Sequence, residues 1–190
     1  IEDAITNVFV WSNICHDIFY LYGFDEAAGN FQEWNGSGMG TGNDMLLVGA
    51  QDGTNTNQAA FVRSVEGEYP YMKMHLWNTA LPDSIIDSDF DNLVIAHEYG
   101  HGVTGRLLGG GNTLSCFNGN EHGDEGWSDF FGLLLTLNDA NGDGFLTEFI
   151  VGEGIRGIGN YLRNDGLTNC ASPLTAVSYT HLTLPTIQPV

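Results

Sequence analysis

The sequence predicts an α+β fold in which a small twisted sheet packs on one helix and a second helix follows it, and three observations carry that expectation. Short apolar or alternating runs at 45–50, 57–62 and 71–77, each bounded by Gly, Asn or Pro, read as strands and lie ahead of the main helices. The apolar run Leu93-Val94-Ile95-Ala96 leads directly into His97-Glu98-Tyr99-Gly100-His101, whose two histidines share a face on a helix. Phe130-Phe131-Gly132-Leu133-Leu134-Leu135-Thr136-Leu137 then continues a second helix with an apolar core face.

Taken in order, residues 4–22 place Ile5, Val8, Phe9, Ile14, Ile18, Phe19 and Tyr22 close to helical spacing, with Tyr22-Gly23 as the stop. His16 sits within that helix without a second ligand one turn away, so it reads as a buried, hydrogen-bonded side chain. Asn30 to Asp44 is a glycine- and asparagine-rich loop, and no Gly-Lys-Ser/Thr follows that would make it a phosphate cradle. His75 alternates with apolar neighbours and reads as a sheet-face residue. The acidic run Asp83–Asp91 reads as mostly solvated, with Ser88 or Asp89 capping the helix that follows.

A chain of 190 residues with 42% hydrophobic content can bury one core. It reads as part of one domain over 1–165 with a poorly assigned tail over 166–190. Twenty-four acidic residues against five basic ones give a net charge of −19, which repels nucleic acid and anionic membrane alike. No run of 18 apolar residues suggests a membrane span. Cys15, Cys116 and Cys170 allow at most one internal disulfide, and their spacing matches no zinc ribbon.

His97 and His101 at i and i+4 form a zinc-ligand pair, and Glu98 falls beside their face, where its carboxylate can reach a metal-bound water as general base. The pentamer alone also arises by accident. A catalytic zinc takes three protein ligands and keeps one open position, and Glu125, 24 residues after His101, supplies the third. Asp129 lies one turn beyond Glu125, placed to accept a hydrogen bond from the far nitrogen of a metal-bound imidazole.

His97-Glu98-x-x-His101 followed by Glu125-Gly126-Trp127-Ser128-Asp129 resembles the fungalysin family of secreted zinc metallopeptidases, relatives of thermolysin, and Asn7–Phe31 and Ala50–Asn57 resemble it too. The resemblance runs from about Asn7 to about Leu162. It implies a thermolysin-like zincin that hydrolyses internal bonds of protein or peptide substrates outside the cell, made as a zymogen with an N-terminal propeptide. It also implies that Asn57, Gln58 and Ala59 lie where the edge strand pairs with the substrate backbone. Family members commonly carry asparagine where this chain has Gln58 or Ala60, so backbone pairing is the part that carries over.

Asp139, Asn141 and Asp143 with Gly144 match the opening of a calcium loop, while Ile150 stands where its closing Glu belongs. Calcium and a tight Asn-Gly-Asp-Gly turn both suit this stretch. A rival from another class is a catalytically incompetent zinc-binding fragment, or an acidic binding or scaffold module for a cationic partner. The intact Glu98 argues against the second, because a structural zinc site needs no carboxylate beside an open position. The resemblance implies an oxyanion-stabilising His in a later lobe whose pattern is absent, His181 being the sole His after Glu125. The chain is therefore expected to be an incomplete catalyst. Residues 176–190, which follow the last acidic residue Asp165, read as non-native or as a β-rich extension.

Overall fold

The computed structural model describes residues 1–81, 84–114, 123–138 and 147–148. Helix α1 (Glu2–Leu21) turns Ala4, Val8, Cys15 and Phe19 inward at helical spacing, and Glu2 and Asp3 meet the positive end of its dipole. It ends one residue before the expected Tyr22. The chain turns out through Gly23 at φ 100°, a conformation glycine adopts without strain. The Phe24 N–H then closes on the Phe19 carbonyl at 2.9 Å.

Two small sheets follow. Strands β1 (Leu47–Gly49), β2 (Ala59–Val62) and β3 (Tyr71–Met74) form a mixed sheet in the order β1-β3-β2, with β1 parallel and β2 antiparallel to β3. Strands β4 (Leu76–Leu81) and β5 (Ser84–Asp87) make a separate antiparallel pair. The run expected as one strand over 71–77 thus breaks at His75. That ring is only 2% exposed and its Nδ1 lies 2.6 Å from the Asp52 carbonyl, so it is an interior residue where the chain passes between sheets, not a sheet-face one. The strand expected over 57–62 starts two residues late because Asn57 sits at φ 60°, outside the extended region.

Helix α2 (Asn92–Gly109) lies under the mixed sheet. Phe61 from β2 and Phe31 rest where a side chain at Gly102 would be: a Cβ there would stand 2.5 Å from Phe61 and 2.8 Å from Phe31. One core cluster joins Cys15, Phe19, Phe24, Phe31, Ala96, Tyr99 and Val103. A second joins Val8, Met72, Met74 and Ile95. Burial pushes the Cys15 thiol up to about 12, so it packs as a small apolar group and carries no disulfide. Cys116 and Cys170 lie outside the described residues. Helix α3 (Asp124–Thr136) packs along α2, and short strands β6 (Leu137–Asn138) and β7 (Thr147–Glu148) pair after it. No helix among the described residues is long and apolar enough to cross a membrane.

The acidic run differs from its expectation. Ser88, Asp89 and Asp91 are fully buried and Asp87 is half-buried, while Asp83 lies outside the described residues. Neither Ser88 nor Asp89 caps α2. Ser88 Oγ donates to the His75 carbonyl at 2.6 Å and Asp89 Oδ2 accepts the Gln51 N–H at 2.9 Å, which leaves Asp91 to cap the helix by accepting the Val94 N–H at 3.2 Å. Burial, with the neighbouring Asp87 carboxylate, pushes the Asp89 carboxyl up to about 8. A carboxyl whose folded pKa is raised stabilises the fold while it stays protonated. Its contribution is complete below the ordinary carboxylate range near 4 and drains away as pH rises to about 8. Asp89→Asn, which mimics the neutral form, should therefore gain stability over the parent as pH climbs through that window, by at most about 1.4 kcal/mol per pH unit. Parallel stability curves for the two proteins from pH 4 to 8 would remove the buried proton from the account.

Candidate metal centre

The site is made by two helices drawn together through glycine. A Cβ at Gly100 of α2 would stand 3.0 Å from the Ser128 Cα of α3, and one at Gly132 of α3 would stand 3.0 Å from the Leu93 carbonyl oxygen. This close approach brings Glu125, in the first turn of α3, over the face of α2 that carries His97 and His101. The helical spacing does the rest: His97 Nε2 and His101 Nε2 are 3.0 Å apart, and Glu125 Oε2 lies 3.2 Å from the first and 3.4 Å from the second.

That triangle matches a tetrahedral cation. Ligand bonds of about 2.0–2.1 Å require ligand-to-ligand separations of roughly 3.3 Å, and three donors so spaced leave a fourth vertex open. Glu125 closes the triangle from the solvent side, its side chain 64% exposed. His97, Glu98 and His101 also come within 4.8 Å of one another, so proximity alone would admit Glu98 as a ligand in place of Glu125. The shorter Glu125 distances favour Glu125. Glu98 keeps Oε2 buried with no hydrogen-bond partner, an orphaned acceptor beside the imidazoles. Burial pushes its carboxyl up, with the two imidazoles opposing that rise.

Each imidazole is held from behind. His97 Nδ1 meets Asp129 Oδ1 at 2.9 Å, the partner expected, and His101 Nδ1 meets Asp124 Oδ2 at 2.7 Å. Burial disfavours charge on both rings. Even so, hydrogen bonds to Asp129 and Glu125 lift His97 to about 10, and those to Asp124 and Glu125 lift His101 to about 9. The same bonds hold the Glu125 carboxyl well below the usual range. Glu98, Asp124, Glu125 and Asp129 surround the two rings with Arg63 as the cation among them, an excess of negative charge that suits a divalent ion.

Asp124 is the residue that sequence reasoning passed over. The signal was an extra acid directly before Glu125, in His122-Gly123-Asp124-Glu125, on a segment read for its ligand alone. Ser128 was missed too, its Oγ 3.2 Å from His101 Nδ1. Of the substrate residues, Ala59 opens β2, an edge of its sheet, while Gln58 is exposed just before it. Asn57 is occupied otherwise: its Nδ2 donates to Asn78 Oδ1 at 2.8 Å and its Oδ1 accepts the Asn78 N–H at 2.9 Å. Asp139, Asn141, Asp143 and His181 lie outside the described residues. His16 is hydrogen-bonded as expected, with Asp17 Oδ1 at 3.0 Å and Gln32 Oε1 at 3.2 Å, but it is half-buried and not buried.

Comparison with known proteins agrees with the geometry. The chain is 38% identical over 165 residues to extracellular metalloproteinase 1 of Trichophyton rubrum, covering 85% of this chain and 26% of the relative. It is 42% identical over 139 residues to extracellular metalloproteinase 5 of the same organism, covering 72% of this chain and 22% of that relative. The chain thus spans about a quarter of the length of the curated relatives it matches. The model of the fungalysin metallopeptidase (M36) family matches residues 1–173, longer at both ends than the resemblance carried by the motifs alone. With that match over most of its length, the chain belongs to the fungalysin metallopeptidase family.

Proposed function

We propose that His97, His101 and Glu125 hold one catalytic zinc ion and that Glu98 is the general base of a secreted endopeptidase. The observation that carries this reading is the triangle of Nε2, Nε2 and Oε2 atoms at 3.0, 3.2 and 3.4 Å, with an unpartnered carboxylate oxygen beside it. A zinc ion held there would supply Lewis acidity, polarising a scissile carbonyl and bringing the pKa of water to about 7. Glu98 takes the proton from the attacking water and passes it to the leaving amine. Burial serves that role, since a carboxyl raised above its ordinary value accepts a proton more readily.

Substrate is proposed to lie along the open edge of β2, which pairs with β3 on its other side and is backed by α2 through Phe61 and Gly102. Asn57 spends its amide on Asn78, so recognition there rests on the backbone at Gln58 and Ala59. The relatives are named extracellular, and export is proposed on that basis for this protein, with a propeptide proposed from its family. Residues 1–165 are proposed as part of the catalytic domain and 166–190 as a tail.

Hydrolysis of a fluorogenic peptide by the full-length gene product, abolished by a chelator and restored by zinc, tests the reading. Cleavage indifferent to chelation would sink it. Asp129→Ala should weaken zinc affinity and turnover together by about 10- to 100-fold, because His97 loses the acceptor that fixes its tautomer. An unchanged zinc titration would take Asp129 out of the site.

A further inference from the structure

Arg63 immediately follows β2 and reaches back across α2. Its Nε donates to the His101 carbonyl at 3.2 Å and its Nη2 pairs with Asp124 Oδ2. The side chain can lie so low because residue 105 is glycine: a Cβ there would stand 2.8 Å from Arg63 Cδ and 3.0 Å from Nε. Thr104, one turn from Gly100 on the same helix, donates its hydroxyl to Asp124 Oδ1. Both oxygens of Asp124 are thus fixed by groups outside its own helix, and Oδ2 is left 2.7 Å from His101 Nδ1. The competing partner of that nitrogen, Ser128 Oγ, is farther at 3.2 Å.

We propose that Asp124, clamped by Arg63 and Thr104 over the side-chain-free Gly105, is the positioning residue of His101, holding Nδ1 protonated so that Nε2 presents its lone pair to the metal. This rests on the metal-site reading above. It also adds something to it. Asp129 steadies His97 from within α3, whereas Asp124 is tied through Arg63 to the end of β2, the edge proposed to pair with substrate. Displacing that strand end therefore disturbs the second imidazole.

Zinc dissociation constants from competition with a chromogenic chelator, measured on the full-length gene product, test the clamp. Asp124→Ala should weaken binding by about 10- to 100-fold. Asp124→Asn, whose amide oxygen can still accept from Nδ1, should recover most of that loss. Arg63→Ala should weaken binding by a few fold in the parent and by nothing further in the Asp124→Ala background, since Arg63 acts through Asp124. Gly105→Ala should lower affinity as Arg63→Ala does, although alanine favours the helix over glycine. Above about pH 9, where the imidazole is neutral, nitrogen-15 spectra of the metal-free protein should show the His101 Nδ1–H tautomer in the parent and its loss in Asp124→Ala. Parental affinity in Asp124→Ala, no loss in Arg63→Ala, or independent losses in the double variant would overturn the clamp. A parent protein that binds no zinc would instead overturn the metal-site reading. If Asp124→Ala does not fold, the Asp124→Asn, Arg63→Ala and Gly105→Ala affinities decide the matter.

Discussion

Glu98→Gln is expected to keep its zinc and lose its reaction, with turnover falling by about 100- to 10,000-fold and zinc affinity changing by no more than a few fold. The substitution preserves the volume of a side chain that is only 6% exposed, so packing on α2 survives. It removes the group proposed to move the proton. His97, His101 and Glu125 are untouched, and their mutual spacing does not depend on Glu98. Steady-state peptide hydrolysis beside a chelator titration separates the two quantities. Near-parental turnover would end the base assignment, and loss of zinc with turnover would make Glu98 a ligand.

Gly100→Val is expected to damage the fold and the metal site together. Its first added carbon would meet Ser128 Cα at 3.0 Å, Ser128 Oγ at 3.1 Å and Phe131 Cδ2 at 3.3 Å, and the branched methyls would press further into the same helix. Overpacking of this kind costs about 1–3 kcal/mol. The backbone cannot step aside as a flexible side chain could, so the helices must part. Glu125 sits in the first turn of the helix that would move, and a shift of about 1 Å is ruinous for its proposed part in closing a tetrahedron. Thermal unfolding and zinc affinity should fall together. A stable variant with parental affinity would show that the two helices tolerate more separation than the site implies.

Much of this site was legible because helical spacing is local. His97, Glu98 and His101 are fixed relative to one another by one turn of α2, and Glu125 and Asp129 by one turn of α3. What spacing cannot show is a contact between segments remote in the chain. Arg63 and Asp124 are 61 residues apart, and nothing local to either announces the pair. The acidic run misled for a related reason: charge suggests solvent, yet Asp89 and Asp91 serve backbone N–H groups of Gln51 and Val94 in the interior. The α+β class was readable from strands that precede helices. The split at His75 was not, because a strand broken by one buried residue keeps its alternating pattern. Asn57 shows the same limit at the substrate edge, where a positive φ and a side chain spent on Asn78 are properties of the folded chain alone.

Two imidazoles and one carboxylate are proposed to hold a single zinc with a vertex left for water. Zinc-edge X-ray absorption on the full-length gene product, loaded with one equivalent of metal, addresses it directly. A first shell of two imidazole nitrogens and two oxygens at about 2.0–2.1 Å is expected, with zinc affinity falling in Glu125→Ala, where water takes the vacated vertex. Sulfur scattering at about 2.3 Å, or zinc affinity unchanged by Glu125→Ala, would contradict that ligand set.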